Sequence, residues 1–206
     1  MKKVYFLALL LLPTSLFSQA LDAVAFINKV MEKLKNDAIV EMSYNYKVYD
    51  EEELLTADEG VMILDGERYV LLLEGMKVWC DGKRQWSYVE ISEEVYLTDA
   101  ASDDAQNLSP LYIIEACRDG YESSIKFKDD IAIITLIAQA EDGLAERVEF
   151  TAGVKDCLLR AMNIYMFERG RIDIKLDNYK ANCKFNDADF EFPAKDFPAA
   201  VVVDMR

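Results

Sequence analysis

The chain has 206 residues, of which 52% are apolar, and a formal net charge of −15. This length predicts one domain with room for a sizeable core. The acidic excess argues against nucleic acid as a partner, because a phosphate backbone attracts clustered Lys and Arg, and against rest on anionic lipid. Histidine is absent from the sequence, which excludes Ser-His-Asp and Cys-His catalysis.

Residues 1–20, MKKVYFLALLLLPTSLFSQA, begin with lysines, continue with an apolar run and end in small residues. That pattern is typical of a cleavable secretory signal, and cleavage after Ser18 or after Ala20 would suit it. The apolar run is short for a membrane span, and no cysteine follows it to carry a lipid. We therefore expect an exported, soluble mature domain over residues 21–206.

The mature chain opens with a helix and a long strand. Residues 21–36 predict an amphipathic helix, because apolar residues recur at helical spacing from Ala23 to Leu34. In residues 38–49 apolar and polar residues alternate, which predicts a half-buried strand. Residues 50–59, DEEELLTADE, predict a polar connection.

Short strand candidates follow in quick succession, separated by polar, hairpin-like turns such as DGE, DGKR and EDG. They are residues 60–64, 68–73, 77–80, 84–90, 94–98, 123–128, 131–138, 145–151, 157–167, 171–179, 183–186 and a short strand within 199–206. This meander predicts a curved antiparallel sheet or barrel with helical elements against it.

One helix interrupts the strands near residues 110–118. Ser109 suits its N-cap, Pro110 its first position and Gly120 its end. An acidic loop at 99–104 precedes it.

Four cysteines, Cys80, Cys117, Cys157 and Cys183, are widely spaced. Their even number permits two disulfides in an exported chain, and buried free thiols are the alternative. No metal site is expected, because zinc ligands usually come in closely spaced pairs that include His or Cys.

Both tryptophans lie within the stretch VWCDGKRQWSYVEISEEVYL, on either side of an Asp-Gly turn. A two-residue loop would pair Trp79 with Arg84, and a four-residue loop would pair it with Trp86. Either register places both tryptophans on one face of the sheet, with Tyr88 beside them and Lys77 at the rim. Such a face is either core or a binding surface, and periodicity alone does not decide between them.

Several motifs in order resemble the periplasmic outer-membrane lipoprotein carrier family (LolA-like). They are the strand GVMILDGERYVLLL, the stretch DGKRQWSYVEISEEVYL, the segment LSPLYIIEACRDGY and the close FEFPAKDFPAAVVVDMR. The likeness covers nearly all of the mature chain. It implies a mainly β (α+β) fold, an unclosed, strongly curved antiparallel half-barrel of about eleven strands with helices covering its concave apolar face.

The resemblance also implies a function without covalent chemistry or cofactor. Members bind the acyl chains of lipoproteins released by an inner-membrane ABC transporter, cross the periplasm with them, and deliver them to an outer-membrane acceptor. We expect the same partners and location here, with a monomeric carrier. Neither the identity of the acceptor nor the cargo preference follows from the sequence.

Apolar residues that alternate along the strands are the candidates for lining the acyl-binding hollow. They are Val40, Met42, Tyr44, Tyr46, Ile63, Tyr69, Leu71, Leu73, Trp79, Trp86, Tyr88, Val95, Leu97, Met162, Ile164 and Met166. The candidate lid is the helix segment of Leu111, Tyr112, Ile113 and Ile114. The acidic loop before it would allow the helix to move. Packing of these residues as ordinary core is the alternative.

One departure from the family concerns gating. Many proteobacterial members carry a Lys-Arg-Pro stretch after the second strand, and its arginine helps to hold the cover shut. Here Gly66 and Glu67 stand near that place and Arg68 is displaced. No latch role is therefore carried over to any residue.

Two other classes of function compete with carriage of lipoproteins. A related carrier or sensor of another lipid or acyl-linked molecule would have the same hollow. A carboxylate-based hydrolase would need paired acids. The dense acidic groups are Asp99, Asp103, Asp104, Asp187, Asp189 and Glu191. Solvated loops explain them more simply, and we expect no enzyme.

Overall fold

The computed structural model describes residues 14–36, 39–102, 109–141 and 143–206. Two α-helices and one sheet form the architecture. The helices are α1 (Thr14–Asn36) and α2 (Pro110–Ala116), and a short 3-10 helix spans Asp187–Phe190. The strands are β1 (Val40–Asp50), β2 (Glu53–Asp65), β3 (Arg68–Leu72), β4 (Met76–Cys80), β5 (Arg84–Val89), β6 (Glu94–Asp99), β7 (Tyr121–Lys128), β8 (Ile131–Ala138), β9 (Arg147–Gly153), β10 (Leu159–Tyr165), β11 (Gly170–Lys180) and β12 (Val201–Asp204).

All twelve strands belong to one sheet, in the order β12-β6-β5-β4-β3-β2-β1-β11-β10-β9-β8-β7. Neighbouring strands are antiparallel except for β12, which runs parallel to β6. The order ends in β12 on one side and β7 on the other, so the sheet is unclosed. The predicted mainly β half-barrel with covering helices is therefore confirmed, with twelve strands rather than about eleven.

Two predictions about the strands are wrong. The polar stretch at residues 50–59 is mostly strand, because β2 begins at Glu53 and pairs with β1 well beyond the apolar segment. Backbone hydrogen bonds rather than burial hold this part, since its side chains are largely exposed. Residues 183–186 form no strand. They lead into the 3-10 helix, and the ring of Phe185 lies 6.3 Å from that of Phe190.

Helix α1 covers the predicted range 21–36 and extends back to Thr14. Residues 1–13 lie outside the described residues, so the secretory signal and its cleavage stay a prediction. Within the part of the chain that the structure describes, no helix combines the length and apolar character needed to cross a membrane.

The sheet buries apolar side chains on both of its faces. The larger cluster lies on the face that α1 and α2 cover, which we call the inner face. A smaller cluster lies on the opposite, outer face over β2 to β6, beneath the segment that follows β11. Successive residues of a strand point to opposite faces, so both clusters draw on the same strands.

Gly60 lies in β2 opposite Tyr44 of β1, where β2 approaches the end of β3. A Cβ atom at this position would lie 1.9 Å from the carbonyl oxygen of Leu72. No real Cβ tolerates that distance to a backbone atom, so a side chain here would push β2 and β3 apart.

We expect Gly60→Ala to lower the free energy of unfolding by about 2–4 kcal/mol, because the backbone must shift to relieve the clash. The control is Gly75→Ala, where φ is +76° but no atom lies within 4 Å. That change should cost about 1 kcal/mol through backbone strain alone. Urea unfolding of both variants measures the difference, and equal costs would contradict the predicted clash.

Candidate functional site

The inner face forms an apolar hollow that the two helices fill. Half of the predicted lining residues belong to its cluster. They are Val40, Met42, Tyr44, Tyr69, Leu71, Leu73, Met162 and Ile164, with Tyr46 half-buried against them. These residues come from β1, β3, β10 and the turn after β3, so the register of the sheet brings together side chains that are far apart in sequence.

The other predicted lining residues do not share this surface. The outer cluster holds Ile63, Trp79, Trp86, Tyr88, Val95 and Leu97. Met166 belongs to neither cluster and is 37% exposed. The prediction that all these residues share one face is therefore wrong. The pleat is the reason. Ile63, Val70 and Trp79 lie opposite one another on β2, β3 and β4, so their side chains point to the same face. Tyr69 and Leu71 are the neighbours of Val70 in β3, so they point to the opposite, inner face.

The tryptophans lie in the outer cluster. Residues 181–200, between β11 and β12, cover it, and we call them the C-terminal segment. Trp79 pairs with Trp86 across the hairpin, the register that a four-residue loop gives. The ring of Trp79 lies 5.4 Å from that of Phe192 and 5.7 Å from that of Phe197. Phe197 also lies 4.6 Å from Tyr88. This aromatic face is thus core beneath the chain's own C-terminal segment, separate from the hollow.

Ion pairs fasten the C-terminal segment to the sheet. Arg68 contacts Asp187 at 2.6 Å and places its guanidinium 4.7 Å from the centre of the Phe190 ring. Arg84 reaches Glu191 at 3.4 Å and lies 4.8 Å from the centre of the Trp86 ring. Arg68 therefore serves the outer face.

The turn that carries Arg84 is ordered by Asp81. Its carboxylate accepts hydrogen bonds from the backbone N–H groups of Lys83 and Arg84 and from the Arg84 guanidinium. Partial burial opposes ionisation, but these donors outweigh it and lower the pKa of Asp81 below its usual value. The turn thus presents Arg84 to the outer cluster.

The acidic residues weighed for hydrolysis mostly have structural partners. Asp187 pairs with Arg68, Glu191 with Arg84, and the Asp189 carboxylate accepts the backbone N–H of Asn186. Asp99 is the last residue of β6 and is exposed. Asp103 and Asp104 lie outside the described residues. Among the residues that the structure places, no group of Cys, Asp and Glu has the arrangement of a metal site.

Helix α2 packs on the inner face, and a lid role for it stays a prediction. Leu111, Ile113 and Ile114 are buried, whereas Tyr112 is half-buried. The helix begins at Pro110 and ends at Ala116, two residues before the predicted end. The acidic loop lies only in part within the described residues.

Helix α1 covers the rest of the hollow with an apolar stripe. Its buried residues are Ala23, Phe26, Ile27, Val30, Met31 and Leu34. It contacts β7, β2 and α2. At its C-terminal end Lys35 pairs with Glu115 of α2, and both side chains are more than one third exposed. The two covers thus meet at an ion pair in contact with solvent.

Three ionisable side chains of the inner cluster, Tyr44, Cys80 and Cys117, are uncharged at physiological pH. Burial raises the pKa of the Tyr44 hydroxyl, so the phenol stays protonated. Burial likewise raises the pKa of Cys80 and that of Cys117 to about 11, so both remain thiols. All four cysteines are free in the structure. An uncharged interior of this kind accepts hydrocarbon without leaving a buried charge unpaired.

A polar strip on β5 and β6 interrupts the apolar inner face. The Tyr69 hydroxyl donates to Gln85 Oε1 at 2.5 Å, and Gln85 Nε2 donates to Ser87 Oγ at 3.2 Å. Thr98 of β6 lies opposite Gln85. Sequence reasoning missed the strip, although the alternation that groups Trp86 with Tyr88 places Gln85 and Ser87 on the other face.

Open space surrounds α2 on both of its sides. A cavity of about 230 Å³ lies between α2 and the ends of β4 and β6, with Cys80, Ala100 and Leu111 in its wall. Another, of about 590 Å³, lies between α2 and the strands β7 and β8, beside Tyr112 and Tyr121. The helix thus lies between two open cavities, while its residues Leu111, Ile113 and Ile114 stay buried.

No protein-family model matches the chain, and no curated protein matches it significantly. Solved structures do match it. An uncharacterized conserved protein from Thermus thermophilus is 10% identical with a TM-score of 0.57, and the match covers 88% of this chain and 98% of that one. The observed architecture is the one that the sequence motifs implied. This chain and the Thermus thermophilus protein share a fold.

Two further structures are similar at lower scores. A LolA superfamily protein from Nitrosomonas europaea is 9% identical, with a TM-score of 0.46 over 82% of this chain and 97% of that one. A putative outer membrane lipoprotein-sorting protein domain from Vibrio parahaemolyticus is 7% identical, with a TM-score of 0.45 over 86% and 99%. Neither of these two likenesses identifies a function for this chain.

We expect Phe197→Ala to open the outer cluster, because the ring contacts Trp79, Tyr88 and Phe192. Tryptophan emission should shift to longer wavelength, and the free energy of unfolding should fall by about 2–3 kcal/mol. Phe127→Ala on β7 is the control, because this exposed ring packs against Phe26 of α1, away from both tryptophans. Unchanged emission in Phe197→Ala would show that the segment does not shield the tryptophans.

Proposed function

We propose that this protein is a periplasmic carrier that binds the acyl chains of lipoproteins in its inner hollow and takes them from the inner to the outer membrane. The observation that carries the proposal is an apolar sheet face closed by two helices rather than by strands. Closure by strands is held by a ladder of backbone hydrogen bonds, whereas helices resting on side chains can shift without breaking one.

The energetics of acyl transfer suit such a surface. Sheltering hydrocarbon from water is worth about 0.8 kcal/mol per CH₂ group, so a chain needs a long apolar trough. Tyr44, Met42, Leu71 and Met162 offer one on the inner face. When cargo enters, its chains replace the apolar stripes of the helices, so binding and release exchange one apolar surface for another. Methionine adapts to chains of different shape.

The cover opens, in this proposal, by separation of α1 from α2. The ion pair between Lys35 and Glu115 is exposed, and such pairs are worth at most about 1 kcal/mol. The cavities beside α2 give it room to move. Arg68 takes no part in this step, because its partners Asp65 and Asp187 lie on the outer face. The gating thus differs from that of members with a latch arginine.

The partners and the location follow from the same proposal. A secretory signal over residues 1–20 would bring the chain to the periplasm as a domain over 21–206. An inner-membrane ABC transporter would load it, and an outer-membrane acceptor would unload it. The net charge of −15 suits a carrier that does not rest on anionic lipid or nucleic acid between these encounters. The work is binding and release, without catalysis.

The second candidate function is carriage or sensing of another lipid or acyl-linked molecule by the same hollow. The neutral, apolar interior would accept any hydrocarbon chain of suitable length. Mass spectrometry of ligand extracted from protein purified from its own host separates the two candidates. Lipopeptides indicate lipoprotein cargo, and free fatty acid or another acylated compound alone indicates the second function.

Depletion of the protein in its host tests the main proposal directly. We expect lipoproteins to accumulate at the inner membrane, and we expect acylated lipoproteins to copurify with a tagged copy of the protein. Fractionation of the two membranes and analysis of the purified complex measure these outcomes. Correct localisation of lipoproteins after depletion, with none bound to the protein, would refute the proposal.

Joining the covers should abolish binding. In a background without the native cysteines, Lys35→Cys with Glu115→Cys allows a short bis-maleimide to link α1 to α2. We expect affinity for a fluorescent fatty acid to fall at least tenfold after linking, because the helices can no longer separate. A matched control is Glu41→Cys with Lys180→Cys, an ion-paired position between β1 and β11. Equal binding by both linked proteins would contradict the opening.

A further inference from the structure

The polar strip of Gln85, Ser87 and Thr98 is out of place on an otherwise apolar inner face. Gln85 and Thr98 are buried, and they face each other across β5 and β6. Gln85 is hydrogen-bonded to Tyr69 and Ser87. An apolar surface meant only to pack under helices would gain nothing from these groups, because each buried polar group requires a partner.

Thr98 is the exceptional member of the strip. It is only 4% exposed, and its hydroxyl finds no hydrogen-bond partner among the residues that the structure describes. Leaving a buried hydroxyl unsatisfied costs about 1–3 kcal/mol. Thr98 therefore presents an unused donor on the inner face, whereas Gln85 and Ser87, the other two residues of the strip, are hydrogen-bonded to each other.

Residues next to the strip line the cavity of about 230 Å³ beside α2. Gln85 pairs directly with Cys80, and Ala100 follows Thr98 by two positions. Both Cys80 and Ala100 belong to the wall of that cavity. The inner face is thus apolar at β1 and polar at β5 and β6. The cavity beside α2, which is open to solvent, lies next to the polar strands.

We propose that the strip binds the ester or amide carbonyl that joins an acyl chain to its head group, with Thr98 Oγ1 as the donor. This inference rests on the proposed function and deepens it. The hydrocarbon lies over the apolar part of the inner face, the carbonyl accepts from Thr98, and the head group leaves through the cavity beside α2. The site thereby fixes the direction in which the lipid lies and selects acylated molecules over plain alkyl chains.

A matched pair of lipids tests this assignment. A 1-monoacylglycerol and the 1-O-alkylglycerol of equal chain length differ at the linkage carbonyl, and both displace a fluorescent fatty acid from the full-length mature protein. We expect the ester to bind about five- to tenfold more tightly, as one hydrogen bond in a buried site allows. Thr98→Val should bring this preference close to one while leaving affinity for the ether unchanged.

Two control variants accompany the measurement. Thr98→Ser keeps a hydroxyl and should keep the preference for the ester. Thr135→Val lies on β8, one position from the inner residue Ile134 and therefore on the outer face, and it should keep the preference as well. In the absence of lipid, Thr98→Val should melt at a higher temperature than the native protein, because an unsatisfied hydroxyl has been removed.

The outcomes separate this inference from the function on which it rests. Equal binding of ester and ether by the native protein, or an undiminished preference in Thr98→Val, overturns the carbonyl site while leaving the apolar hollow in place. Failure of both lipids to displace the fluorescent fatty acid overturns the carbonyl site and the proposed carrier function together.

Discussion

The constraint on which this structure depends is that an open, curved sheet exposes an apolar concave face which it cannot cover by itself. A closed barrel would pair its edges and fill its interior with side chains. Here the sheet ends at β12 and β7 without pairing them, and two helices occupy the space instead. The stability of the fold and the accessibility of its interior are therefore set by the same contacts between helix and sheet. For the function proposed above, a tighter fit would make a more stable protein and a poorer binder.

The outer face obeys a different rule. Where the inner face is covered by helices that meet at an exposed ion pair, the outer aromatic cluster is fastened by Arg68 and Arg84 together with four phenylalanines of the C-terminal segment. Aromatic contacts, cation–π contacts and buried area add on one small patch. The outer face is thus covered by a segment held with ion pairs and ring contacts, the inner face by the apolar sides of two helices, and the two faces share strands β2 to β6.

Most strands could be predicted because their polar and apolar residues alternate, as in β1, and because turns such as Asp81-Gly82 separate them. The assignment of strands to faces could not. The stretches YVLLL and VWC are apolar throughout, since most of their residues are buried on one face or the other, and alternation carries no information about which side meets the hollow. The position of the C-terminal segment over the tryptophans could not be predicted for another reason. Its phenylalanines follow neither a strand nor a helix period, so only the fold shows that they cover the tryptophans. The polar strip, by contrast, is visible in RQWSYVE once Trp86 is placed on the outer face.

The order of strands has a consequence for biogenesis. Strand β1 pairs with β11 near the middle of the sheet, and β6 pairs with β12 at one margin, so each of these pairings joins an early part of the chain to a late one. Long-range pairings of this kind form slowly. The hairpins within β1 to β6 and within β7 to β11 join strands that follow one another in the chain and can form early, whereas covering of the tryptophans must wait for the residues after β11.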